Sequence, residues 1–116
     1  MDTYEYSELL KALKNKVGNI ASIIKPEGIK TRLDEIEKLE NSPDFWQDAK
    51  MAAVLGKEKT KISNLLKSYE NAFAAVNDAS ELFELANSEN DDETMQALFN
   101  DAPKLEDTIT SLEISM

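Results

Sequence analysis

The sequence predicts an all-α fold: an antiparallel helical bundle of three to four helices built around one long central helix. Three observations carry this. Apolar residues recur at alternating steps of three and four along most of the chain, only six Gly plus Pro punctuate its 116 residues, and a proline-free stretch runs from Gln47 to Ala86. Steps of three and four hold one stripe of side chains on one face of an α-helix, whereas a strand would need alternation.

In the first segment Tyr6, Leu10, Leu13, Val17, Ile20 and Ile24 make the stripe, with Lys11, Lys14 and Lys16 on other faces. Pro26 lacks the N–H that a helix interior needs but suits a first turn, so this helix should end near Lys25 and a second begin there. Ile29, Leu33, Ile36 and Leu39 give the second helix its apolar edge. Asn41, Ser42, Pro43 and Asp44 form an elbow, which Phe45 and Trp46 are expected to anchor to the bundle, the alternative being an exposed partner-binding plug.

The long helix follows. Leu55, Ile62, Tyr69, Val76 and Phe83 recur every seven residues, and Leu65, Ala72, Ala79 and Ala86 form a second row three positions on. Leu66, Phe73 and Leu82 are expected to widen this seam so that it meets more than one neighbour. Asn87 to Glu93 make a polar reversal, with Asn90 or Asp91 as helix cap and acidic residues in the next first turn. A calcium loop would need a central glycine, which this stretch lacks. Met95, Leu98, Ala102, Leu105, Ile109, Leu112 and Met116 supply the stripe of the last helix, where Pro103 should bend the helix or restart it at an Asp101 cap.

Composition narrows function. The absence of Cys and His removes disulfides, thiolate nucleophiles, the commonest general base and the commonest metal ligand, so no catalytic residue, metal or cofactor is expected. No apolar run approaches the roughly 18 residues of a membrane span and no secretory pattern opens the chain, so a cytoplasmic location is expected. A net charge of −10 argues against a surface that tracks phosphates and for binding to other proteins. The charge is uneven: residues 1–67 hold 12 basic and 11 acidic side chains, residues 68–116 hold only Lys104 against 12 acidic ones. Glu81, Glu84, Asp91, Asp92 and Glu93 are the candidate contacts on this acidic half, set against the plainer role of a solvated surface.

Several short sequences in fixed order then point to a family. Ser42-Pro43-Asp44-Phe45-Trp46, Ala53-Val54-Leu55-Gly56-Lys57-Glu58, Leu82-Phe83-Glu84-Leu85-Ala86 and Asp91-Asp92-Glu93-Thr94 together resemble the N-terminal domain of the bacterial class I peptide chain release factors. The elbow and the Leu-Gly-Lys-Glu run resemble the factor 2 branch more than factor 1. The resemblance extends from about Tyr6 to Met116 and implies translation termination, with a helical domain that engages the ribosome near the stalk-base proteins of the large subunit and helps arrange the downstream domains of the factor. The Gly-Gly-Gln loop that releases the peptide and the Ser-Pro-Phe tripeptide that reads the codon do not occur here. The resemblance therefore implies a non-enzymatic, truncated piece spanning residues 1–116. The competing reading is a stand-alone acidic helical adaptor or nucleic-acid mimic; it accounts for the charge but not for the ordered motifs.

Overall fold

The computed structural model describes residues 1–116 and contains four α-helices, no strands, and one 3-10 turn. Helix α1 (Thr3–Ile24) starts from a capping box: the Asp2 carboxylate accepts the Glu5 N–H at 2.8 Å and the Glu5 carboxylate accepts the Asp2 N–H at 3.3 Å. It stops at Lys25, which adopts a left-handed φ of 53° and donates its N–H to the Ala21 carbonyl. Pro26 opens α2 (Pro26–Glu40) at the position where its missing N–H costs nothing. A turn with a 3-10 segment at Phe45–Gln47 leads to α3 (Ala49–Glu89), capped by Asp48. Asn90, at φ 54°, closes α3, and Asp91 caps α4 (Asp92–Ser115).

Helix α3 sets the shape. Its 41 residues at about 1.5 Å each span roughly 61 Å, and the long axis of the molecule is 62 Å. Helices α1 and α2 run in succession back along α3, and α4 returns along it from the opposite end. Two unequal regions result. Over the C-terminal half of α3 three helices meet: Leu13, Val17, Ile20, Ala72, Val76, Ile109 and Leu112 form one buried cluster, and Tyr6, Leu10, Ala86, Met95, Leu98 and Ala102 a second. Tyr6 lies between Phe83 and Phe99, with ring centroids 5.2 and 5.7 Å away. We call this part the head.

Over the N-terminal half of α3 only α2 and the turn are present, and we call this part the arm. Its core is three buried residues, Ile36, Phe45 and Leu55, with Ala52 and Ile62 beside them. So thin a core buries little apolar area, and charged pairs flank it. Arg32 grips Glu58 with two hydrogen bonds of 2.6 and 2.9 Å and reaches Glu35 at 3.0 Å, while Lys59 donates to Glu40 at 2.7 Å. The paired guanidinium holds the Glu58 carboxyl below the usual carboxylate range.

The seam is where the heptads put it, with corrections at its edges. Val76 and Ile109 are 3% and 0% exposed, but Ile62, in the arm, is only half-buried. Phe73 and Leu82 do not widen the seam, being 51% and 44% exposed. Phe73 lies one residue, about 100°, round from Ala72, and two neighbours do not cover that much of a helix. Leu39 and Met116 are likewise exposed at the ends of their stripes. The elbow divides its aromatics: Phe45 is buried beneath Trp46, which packs edge-on against it at 4.7 Å and stays 66% exposed. Pro103 neither restarts α4 nor needs Asp101 as a cap, since the helix continues through both. Ala102 and Leu98 are buried on one side of it and Ile109 and Leu112 on the other, so tertiary packing holds the helix across the lost hydrogen bond.

Candidate functional site

The turn between α3 and α4, at the far end of the head, gathers the acidic candidates. Glu81 and Glu84 are one turn apart on the last third of α3, and Asp91, Asp92 and Glu93 form the cap and first turn of α4. All five are exposed, and none is in an ion pair. Their roles differ. Asp91 is committed to structure: one carboxylate oxygen accepts the Thr94 N–H at 3.1 Å, and the other accepts the Thr94 hydroxyl at 2.6 Å. These bonds, the hydroxyl first, hold its carboxyl below the usual range, so it stays charged but is not free to reorient. Glu81 lies 3.5 Å from the Asn77 amide, a long contact. Glu84, Asp92 and Glu93 make no side-chain hydrogen bond within the chain and present their charge to solvent.

Folding adds residues that the sequence reading left out. Because Tyr6 packs beside Ala86 and Met95, the start of α1 reaches the same end and brings Asp2 and Glu5 with it, while Glu89 closes α3 there. The capping-box spacing of Asp2 and Glu5 was a visible signal for a helix start, but their neighbours in space depend on how α1 packs. The result is a helix-end surface of high negative charge, with no buried polar side-chain atom left unpaired beneath it. No group of three or more carboxylates is placed to hold a metal ion. Tyr6 is the sole buried phenol; burial first, and nearby Asp101 second, push its hydroxyl above its ordinary range, so it stays neutral and serves packing.

Such a surface attracts cations at long range and repels phosphate. Comparison with known proteins identifies what carries it. The PCRF domain profile matches residues 29–116, from α2 through α4. The chain belongs to the PCRF domain family. This PCRF chain is 82% identical over all 116 residues to peptide chain release factor 2 of Campylobacter jejuni strain RM1221. It is 79% identical to the factor of Campylobacter lari and 62% identical to that of Campylobacter concisus, again across the whole chain. In each case it spans 32% of the relative's length. Helix α1 lies outside the matched profile yet inside the alignments with these relatives, and it supplies five of the head's buried side chains. No helix is long and apolar enough to cross a membrane.

Proposed function

We propose that the chain is the non-catalytic helical domain of a cytoplasmic translation-termination factor, and that the acidic end of its head brings the factor to the ribosome at the protein-rich base of the large-subunit stalk. The observation that carries this reading is the charge geometry. Glu84, Asp92 and Glu93 stand unpaired at one end of a rigid 62 Å body, where a basic protein surface would meet them first. The 82% identity to a peptide chain release factor 2 supports the setting in translation, and the absence of Cys and His, with no peptide-releasing or codon-reading tripeptide, supports a role without chemistry. The same bundle would hold the factor's remaining domains at a set distance, because a helix of this length packed along both halves resists bending.

Unpaired surface charges act mainly on encounter rate and are screened over about 8 Å at physiological salt. The test is made in the whole factor. Changing Glu81, Glu84, Asp91, Asp92 and Glu93 to their amides, with Asp91→Ser as a cap-preserving alternative, should slow ribosome association several-fold at low salt, and the difference should vanish near 0.5 M KCl. An unchanged association rate at low salt overturns the proposal.

A further inference from the structure

The acidic end is balanced by a second charged surface that the net charge of the chain conceals. Helix α3 is segregated along its length: residues 49–67 carry Lys50, Lys57, Lys59, Lys61 and Lys67 against Glu58, and residues 68–89 carry five acidic residues and no basic one. This ordering adds to the helix macrodipole where helix stability would favour the reverse, and α3 has no acidic residue in its first turn and no basic one in its last. Stability of the helix therefore gives no reason for the pattern.

The lysines divide by face. Lys59 turns inward to Glu40, and Glu58 is held by Arg32. Lys50, Lys57 and Lys61, spaced by seven and four residues, share one outer face. All three are exposed and none forms an ion pair; Lys14, Lys25, Lys67 and Lys104 are also unpaired but stand singly on or between other helices or on another face of α3, and the remaining six cations are paired. Leu55, two residues from Lys57 and so about 160° away, is buried on the opposite side. Helix α4 does not reach the ridge: its last residues, Ser111 and Ser115, border a cleft with Ser68. From Lys50 to Lys61 the ridge covers about 17 Å of helix axis, the length over which one strand of a duplex presents about five phosphates.

We propose that this ridge is a contact surface for the RNA phosphate backbone. Protein interfaces deplete lysine and concentrate aromatic anchors, whereas phosphate contacts are made by lysine with Asn, Ser and Thr. The ridge has three free lysines, with exposed Thr60 and Asn64 alongside, and Val54 and Met51 as its exposed large apolar side chains, neither of them aromatic. The choice of RNA over DNA rests on the proposed setting in translation. Thus the net negative charge that disfavours phosphate is concentrated on the head, and this face of the arm is locally basic.

The experiment titrates the 116-residue chain into a fluorescein-labelled 24-nucleotide RNA hairpin and follows anisotropy from 20 to 200 mM KCl. Replacing Lys50, Lys57 and Lys61 by Gln should weaken binding at least tenfold at 20 mM KCl and lower the salt slope by about two, at roughly 0.7 to 0.9 per phosphate contact. Replacing Lys11, Lys14 and Lys16 by Gln changes the net charge equally and should leave the slope intact; melting followed by circular dichroism verifies the fold of both variants. Equal losses in the two variants, or no binding at 20 mM KCl, overturns the proposal. Displacement of the RNA by polyglutamate as readily as by unlabelled hairpin overturns it in favour of an acidic protein partner. Since the five acidic residues are untouched in these variants, this test and the ribosome-association test can fail independently.

Discussion

Val76→Asp and Ile62→Asp occupy equivalent positions of one heptad yet should differ widely in cost. Val76 is 3% exposed in a seven-residue cluster built from three helices. Removing its side chain forfeits about 2 kcal/mol of transfer energy. The carboxylate that replaces it has no cation within the cluster and must either stay charged out of water or take up a proton. A carboxyl pKa displaced by two or three units at pH 7 corresponds to about 3–4 kcal/mol. The sum, about 5–6 kcal/mol, reaches the lower end of the whole stability of a domain this size, about 6–17 kcal/mol. Ile62 is half-buried in the arm, where two helices and not three surround it, so an aspartate there can reach water and should cost about 1–2 kcal/mol. Urea titration followed by circular dichroism at 222 nm should show Val76→Asp largely unfolded or shifted far down in midpoint, and Ile62→Asp only modestly shifted. Equal midpoints, or a greater loss for Ile62→Asp, would refute the division into head and arm.

Two further outcomes follow from the geometry. Gly18 and Gly56 sit inside helices with open space where a Cβ would stand, so Gly18→Ala and Gly56→Ala should each raise stability by about 0.5–1 kcal/mol; a loss in thermal melting at either site would contradict the packing described. The depressed Glu58 carboxyl contributes stability that is complete above its unfolded pKa of about 4.3 and lost as pH falls through its lower folded value, so urea midpoints should decline below about pH 5 less steeply in Glu58→Gln than in the parent. Parallel declines would place the acid sensitivity elsewhere.

Periodicity made most of the helices legible because the stripe of each helix reflects how a neighbour covers it. Tyr6 to Ile20 and Met95 to Leu112 read correctly, since each faces the three-helix head. What the pattern could not reveal was how many neighbours each stretch of α3 has. The same heptad passes through a head with two partners and an arm with one, which is why Ile62 is only half covered, while Phe73 and Leu82 lie open within the head, on the side of α3 that neither partner covers. Pro103 misled for a related reason: a local rule marks a break, and burial of Ala102 and Ile109 on either side overrides it. At the elbow, adjacent Phe45 and Trp46 looked alike by hydrophobicity, yet successive residues point in different directions and only one can face the core. Among candidate residues, the acidic block on α3 and α4 was visible as composition. The contribution of Asp2 and Glu5 required the packing of α1, and the lysine ridge was hidden in a near-neutral count for residues 1–67.

The acidic end of the head is proposed as the face presented to the ribosome. This proposal is tested most directly by placing a photo-crosslinking amino acid at position 84 in the whole factor, irradiating the factor on purified ribosomes, and identifying what becomes attached. Glu84 is exposed and unpaired, so the substitution leaves the fold undisturbed. Crosslinks to a basic protein of the large subunit, fading as salt weakens association, are expected. Crosslinks confined to rRNA, or none from a factor that remains ribosome-bound, would contradict it.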